Sequence, residues 1–431
     1  MKMKIYRTIM GEETSLYALL EQRAKSSSSD ITQKVRDVIE NIRENKDSAL
    51  LDYCEKFDRY RPEKLVLDET DIEKAANKAD SSLVKIMQEA AENIRIYHEK
   101  QLTDGYEFQS KGKILGRIVR PLSRVGVYVP GGTAAYPSTV LMNCIPASVA
   151  GVSEIILTTP PKADGLNPAI AAAARIAGVN KIINAGGAQA IAALAYGTES
   201  VPRVDKIVGP GNMFVAEAKR QVYGVVNIDM IAGPSEVCIV ADKSANADYI
   251  AADLLSQLEH DTAASATLIT DCEKLAEQVI TVIKIQLDRL QRRDIAAKSL
   301  ESFSAAVIVN DMDEAFRVAN KIAPEHLEIV TENPKSMLSK VENAGSIFIG
   351  EYSPEPMGDY FAGTNHVLPT SGTARFSSPL SVDDFIKKMS YLAYTKDAFM
   401  RDAGSVIEFA ETEGLGAHAN SVRIRLENED K

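Results

Sequence analysis

Up to about Lys113, apolar positions recur at intervals of three and four among charged residues, as in Ile31-Thr-Gln-Lys-Val-Arg-Asp-Val-Ile39 and Leu83-Val-Lys-Ile-Met87. That spacing lines one face of an amphipathic helix and predicts a helical entry region. From Arg124 short β-branched runs alternate with alanine-rich stretches. Strands are predicted at Val125–Val129, Ile155–Thr158, Lys181–Asn184 and Lys206–Val208, with helices at Val140–Ala150, Ala169–Ala177, Ala188–Tyr196 and Met213–Val222. A second series follows, with strands at Val237–Val240, Ala266–Ile269, Ala306–Val309, Leu327–Val330 and Ser346–Ile349. Its helices are Tyr249–Leu258, a stretch running to about Leu290, and Glu314–Ile322. Such alternation predicts βαβ units around parallel sheets covered on both faces, and two series predict two doubly wound layers. From Ser381 the pattern reads as helices with one short strand; only Ser26–Ser29 has the look of a low-complexity linker.

Composition narrows the class. A chain of 431 residues suggests two to four domains and buries a core without staples. Hydrophobic residues at 45% and charged residues at 25% fit an ordinary globular protein. The formal net charge of −11 and the lack of a Lys/Arg cluster argue against a nucleic-acid partner, whose phosphates must be neutralised. Cys54, Cys144, Cys238 and Cys272 lie far apart with no CxxC pair, which reads as free buried thiols in a reducing compartment. The basic residues of Met1–Arg7 are followed by no apolar run, so no secretory signal is read there. No stretch approaches the roughly 18 apolar residues of a membrane span. A soluble cytoplasmic protein without a membrane partner is expected.

Histidine is sparse, and four of the five fall in unusual contexts: Ser256-Gln-Leu-Glu-His260, Ala323-Pro-Glu-His326, Gly363-Thr-Asn-His366 and Glu413-Gly-Leu-Gly-Ala-His418. The fifth, His98, has the surroundings of an ordinary surface or core histidine. Gln257 and His260, three apart on a predicted helix, project from one face. With Asp359 and His418 they could hold zinc through N and O donors, although any polar helix face offers such a pair. The absence of thiolates favours a catalytic site over a structural zinc knot. Glu325-His326, read as a loop after Pro324, suits proton handling near neutral pH, because imidazole titrates there and burial raises a carboxyl pKa; Glu325 capping the next element beside a packed His326 would give the same letters. Glycine-rich turns recur at Val129-Pro-Gly-Gly132, Ala185-Gly-Gly187, Gly209-Pro-Gly211 and Ala232-Gly-Pro-Ser235. Three follow predicted strands, where loops build the ligand crevice of open α/β sheets, and the fourth precedes one. The GxGxxG fingerprint is absent, with Phe214 where the third glycine would fall.

Together these segments resemble histidinol dehydrogenase over essentially the whole chain. The resemblance rests on Arg124-Val-Gly-Val-Tyr-Val-Pro-Gly-Gly132, Gly186-Gly-Ala-Gln-Ala-Ile191, Val208-Gly-Pro-Gly-Asn212, Ile231-Ala-Gly-Pro-Ser-Glu236 and Gln257-Leu-Glu-His260. Pro324-Glu-His326, Gly363-Thr-Asn-His366, the Ala374–Phe385 run and Glu413-Gly-Leu-Gly-Ala-His418 continue it in order. It implies an α/β fold of two incomplete Rossmann-like, doubly wound domains with small helical N- and C-terminal domains. The implied division is 1–26 as an N-terminal helical arm, 27–127 plus 237–380 as a discontinuous α/β domain carrying zinc and the acid/base residues, 128–236 as the nucleotide-side domain, and 381–431 as a C-terminal domain swapped in a homodimer.

The resemblance also implies roles. Gln257, His260, Asp359 and His418 would bind one zinc ion per subunit, His418 reaching the partner's site. Glu325 and His326 would be the catalytic acid/base pair. Ser235, His366 and Glu413, together with His326 and the four metal ligands, would contact the substrate, while Tyr128, Gln189 and Asn212 would line the NAD site. The implied reaction is oxidation of L-histidinol through L-histidinaldehyde to L-histidine, the last steps of histidine biosynthesis. A paralogue using the same machinery on another small alcohol or diol is the nearest alternative. Oxidising an alcohol to an acid removes four electrons, so two NAD are required. His326 would take the hydroxyl proton, and Glu325 would activate the water that adds to the aldehyde.

Overall fold

The computed structural model describes residues 3–24, 29–131 and 136–427. Most of the Ser26–Ser29 linker, the tip of the first glycine turn at Gly132, and the ends of the chain lie outside the described residues. The chain forms two compact units, residues 1–101 with 122–385 and residues 102–121 with 386–431.

The first unit carries two six-stranded sheets. In one, five parallel strands stand in the spatial order Lys181–Asn184, Glu154–Thr159, Arg124–Tyr128, Lys206–Val208, Asn227–Ile228, with Val66–Leu67 antiparallel at the edge. In chain order that is 3-2-1-4-5, a Rossmann half extended by two strands. The other sheet repeats the order with Ala305–Ile308, Ser265–Thr270, Glu236–Ala241, His326–Val330 and Ser346–Ile349, and Lys4–Arg7 adds a parallel edge strand beside Ala305–Ile308. Every residue of Glu236–Ala241, Ser265–Thr270 and His326–Val330 is buried, as expected of parallel strands with helices on both faces.

The helices between strands begin and end where their sequences dictate. Asn167 accepts hydrogen bonds from the N–H groups of Ala169 and Ile170 to start Pro168–Ala177, and Gly178 at φ 76° ends it. Asp311 caps Met312–Ile322, which Ala323 closes in the left-handed region at φ 52°. Helix Pro137–Val149 has nine consecutive buried residues, Thr139–Ala147, the composition of a helix enclosed on all sides. His98, on helix Ser81–Glu99, is a core histidine bridging Gln101 at 2.8 Å and Asn365 at 3.3 Å. The four cysteines are free, three of them buried and Cys272 half-buried. Among the described residues no helix is long and apolar enough to cross a membrane.

The second unit is built on an antiparallel sheet ordered Ile386–Tyr394, Lys113–Pro121, Tyr106–Ser110, followed by helices Lys396–Thr412 and Gly416–Glu427.

The predicted alternation is present strand for strand, but the ends differ from expectation. The stretch read as an N-terminal helical arm opens with a strand, Lys4–Arg7, before its helix Glu13–Ala24. Residues 102–121, placed with the first α/β domain, supply two strands of the second unit, and Val66–Leu67 and Arg124–Tyr128 belong to the sheet otherwise built from residues 154–228. The tail has two helices and one strand, as its pattern predicted, the strand being nine residues long rather than short. Tyr106–Ser110 is exposed throughout and shows no in–out alternation to read. Helix Arg293–Phe303 also went unpredicted.

Candidate active site

On the sheet that contains Arg124–Tyr128, three of the four glycine turns sit at the carboxyl ends of strands, after Tyr128, Asn184 and Val208. Tyr128 and Val208 end the two strands between which the order reverses, the crevice where open α/β sheets take their ligands. Close backbone approach requires these glycines. A Cβ on Gly209 would stand 2.2 Å from the Tyr128 carbonyl oxygen, and one on Gly186 2.3 Å from Pro160. The buried Tyr128 hydroxyl accepts from the Gly187 N–H at 3.1 Å, which opens helix Gly187–Tyr196. Gln189 is 1% exposed, and its Nε2 has no hydrogen-bond partner. A buried orphan donor beside an uncapped helix start fits a ligand carrying oxygen or phosphate acceptors. Asn212 is exposed and caps helix Met213–Val222 through the N–H groups of Phe214 and Val215.

Beneath this loop, Lys219 reaches back from helix Met213–Val222 to bond the Gly209 carbonyl oxygen at 3.0 Å and the Asp229 carboxylate. Asp229 in turn accepts from the Gly209 N–H at 2.8 Å. Both side chains are almost wholly buried.

The acid/base candidates lie elsewhere, at the amino ends of the other sheet's strands. His326 is the first residue of its strand rather than part of a loop, and pairs opposite Val237. Its buried Nδ1 faces the Glu236 carbonyl oxygen at 3.0 Å. A carbonyl only accepts, so Nδ1 carries the proton and the neutral ring presents a bare Nε2. That Nε2 has no hydrogen-bond partner; it faces Asp359 Oδ1 at 3.6 Å and Glu355 Oε1 at 3.8 Å. Glu325, 7% exposed, accepts from the Glu236 N–H at 2.9 Å. One residue's backbone therefore holds both members of the pair.

Burial raises the Glu325 carboxyl to about 7, against an opposing pull from His326. For His326 burial works the other way, but Glu325, Asp359 and Glu355 outweigh it and push the imidazole up to about 10. Burial alone would raise Asp359, yet His326 and His366 hold its carboxyl well below the usual carboxylate range. His366 donates from Nδ1 to the Asp359 carbonyl oxygen at 3.0 Å, and burial lowers its pKa while Asp359 opposes.

Gln257 is the penultimate residue of helix Ala247–Leu258, 2% exposed, with Oε1 unpartnered. His260 follows the helix and is more open. Protein around its closed side still lowers its pKa, with Asp359 again the main opposing charge. Ser235, half-buried, precedes the strand Glu236–Ala241, and its carbonyl oxygen accepts from Ser265 N–H at 3.0 Å. Glu413 and His418 stand in the second unit, both exposed, at the end of helix Lys396–Thr412 and on helix Gly416–Glu427.

Among the described residues, His326, Glu355 and Asp359 are the His/Cys/Asp/Glu group whose ligand atoms all fall within 4.8 Å of one another. Of the four residues expected to bind metal, Asp359 is in this group, His260 lies within its electrostatic reach, and Gln257 is on the same helix end as His260. Gln257 Oε1, buried without a hydrogen-bond partner, and the Asp359 carboxylate are oxygen donors that fit a divalent cation of intermediate softness. Glu355 and Glu236 were not singled out from sequence. Glu355 had a readable signal, since it lies four residues before Asp359 on one short helix, Glu355–Tyr360.

Comparison with known proteins covers nearly the whole chain. A family profile described as histidinol dehydrogenase matches residues 21–426. Histidinol dehydrogenase of Clostridium acetobutylicum is 52% identical over 409 residues, covering 94% of this chain and 95% of that one. The Bacillus cereus protein of the same name is 51% identical over 428 residues, covering 99% of this chain and 100% of its own. The crystal structure of histidinol dehydrogenase from Elizabethkingia anophelis superposes with a TM-score of 0.93 at 38% identity, covering 100% of this chain and 99% of that one.

Proposed function

The chain belongs to the histidinol dehydrogenase family and catalyses the NAD-dependent oxidation of histidinol with zinc as its metal, and from that premise we propose how its residues divide the work. Glu325 and His326 are the acid/base pair. Gln257, His260, Asp359 and the partner chain's copy of His418 hold zinc, and those groups with Ser235, His326, His366 and Glu413 receive the substrate. Tyr128, Gln189 and Asn212 line the NAD site. The enzyme is a cytoplasmic homodimer whose sites are shared through the 381–431 segment.

The observation that carries this reading is the shared anchor on Glu236, which leaves His326 with one free ring nitrogen turned toward Asp359. Zinc, when bound, supplies a Lewis-acidic anchor for the amino and imidazole nitrogens of the substrate. NAD, when bound, supplies the hydride acceptor, one molecule for each of two oxidations. His326 Nε2 takes the hydroxyl proton, which leaves the carbinol carbon able to release hydride. The carboxylates around His326, Glu325 first and then Asp359 and Glu355, favour its protonated form, so neutralising charge among them opens Nε2 as a base. Glu325, with one oxygen held by the Glu236 N–H and the other free, then deprotonates the water that adds to the aldehyde. His326 acts again as the hydrate is oxidised to the carboxylate.

Purified protein mixed with NAD and histidinol should form two NADH for each histidine, with no free aldehyde accumulating. One NADH per turnover with aldehyde released refutes the two-step scheme. A panel of small alcohols and diols run beside histidinol identifies a different substrate if one is turned over faster.

A further inference from the structure

Arg23 sits on the N-terminal helix Glu13–Ala24, remote in sequence from every residue assigned above, yet its side chain is 2% exposed. Its guanidinium meets four acceptors around the first residues of two central strands. Nε donates to the Ala263 carbonyl oxygen at 2.6 Å, and Nη1 to Glu236 Oε1 at 3.3 Å. Nη2 donates to the carbonyl oxygens of Pro234 and, at 2.9 Å, of Ser235. Glu236 Oε1 is also held by the Ser371 N–H. A planar fork of fixed donors defines the place of such acceptors more tightly than a single ammonium could.

The same Glu236 whose side chain Arg23 binds has its N–H on Glu325 and its carbonyl on His326 Nδ1. Removing the guanidinium would strand a buried carboxylate and lose a donor from three carbonyl groups, so residues 234–236 would shift to recover partners. Any such shift moves both members of the pair together.

We propose that Arg23 is a positioning residue for the reaction: by clamping Pro234–Glu236 it sets where the Glu236 peptide groups hold Glu325 and His326. The inference rests on the reading of those two residues as the acid/base pair. A misplacement of about 1 Å costs a rate up to roughly a hundredfold while leaving ground-state binding less affected. Arg23 itself touches neither substrate nor cofactor in this account, so its effect falls chiefly on kcat, with a smaller rise in KM where Ser235 shifts.

The test uses the zinc-loaded, full-length enzyme carrying Arg23→Ala or Arg23→Lys, beside Glu325→Gln and His326→Asn. Expected for R23A is a kcat lower by roughly 10- to 100-fold, with KM for histidinol within about threefold and zinc content unchanged. Low-millimolar guanidinium should restore part of the R23A rate and none of the E325Q rate. R23K, which keeps the charge without the fork, should fall between wild type and R23A. If R23A does not fold, a reduced kcat at unchanged KM and zinc content in R23K supports the proposal by itself. A folded R23A or R23K with wild-type kcat overturns it, as does a loss confined to KM, a loss that tracks missing zinc, or failure of both variants to fold. Should E325Q and H326N turn over normally, the acid/base reading itself fails, a result separate from any seen at Arg23.

Discussion

Lys219→Met removes one charge from a sealed pair. The two side chains are 2% and 1% exposed, so solvent neither screens the ion pair nor replaces the lost partner. The methionine keeps most of the lysine stem, which limits the cavity left behind. What remains is the Asp229 carboxylate, still accepting from the Gly209 and Met230 N–H groups but without its counter-charge. Breaking a buried pair from one side costs about 3–5 kcal/mol, because the surviving charge stays desolvated. Urea unfolding should show a lower midpoint at unchanged slope. The double variant K219M/D229N removes the stranded charge and should recover about 2 kcal/mol of the loss. Because Lys219 and Asp229 hold both backbone groups of Gly209, NADH binding measured by fluorescence should weaken roughly tenfold in the single variant, equivalent to about 1.4 kcal/mol. A K219M protein destabilised by less than about 1 kcal/mol, or a double variant no better than the single, refutes the reasoning.

Glu325→Gln should slow aldehyde oxidation more than alcohol oxidation in separate single-turnover assays; equal losses remove its water-activating role. Gln257→Leu replaces an unpartnered buried oxygen with an apolar group, so the zinc-free protein should melt no lower than wild type, while zinc affinity falls by roughly tenfold or more. Unchanged zinc affinity by competition with a chelating dye would exclude Gln257 as a ligand. Burial raises the Asp58 carboxyl to about 6 from an ordinary 3.8, and Oδ2 has no hydrogen-bond partner. A raised folded-state pKa means that its contribution to stability is fully present below about pH 3.8 and is lost as pH rises through 6. D58N should therefore gain on wild type between pH 5 and 7.5, by about 1–2 kcal/mol once partial exposure is discounted. A pH-independent difference in denaturation midpoint counts against this.

Legibility followed burial. Strands such as Ile155–Thr158 and Val237–Val240 were readable because enclosure on both faces leaves runs of β-branched residues with glycine or polar turns at each end. Lys4–Arg7 is a short edge strand among basic residues, and Tyr106–Ser110 is exposed throughout, so neither carries an apolar period. The glycine turns were legible because φ constraints and backbone crowding restrict the residue type. Arg23 was not, since what makes it matter is convergence of segments distant in sequence, while the i, i+4 spacing of Glu355 and Asp359 offered a signal that went unread. Where the pair Glu325-His326 would sit was also hidden. The usual expectation places ligands at carboxyl ends, whereas this pair stands at amino ends, an outcome decided by the chain's route into each strand rather than by local composition.

The edge strand Lys4–Arg7 has a practical corollary for anyone expressing the protein. A product initiated at Met10, or a fusion that pulls the first residues away, would uncover Ala305–Ile308, whose Ala305 to Val307 are buried. Bare parallel edges of that apolar character invite intermolecular strand addition. Shortened preparations would then precipitate or associate while their catalytic residues remained intact, and low recovered activity in them would report on solubility rather than on chemistry.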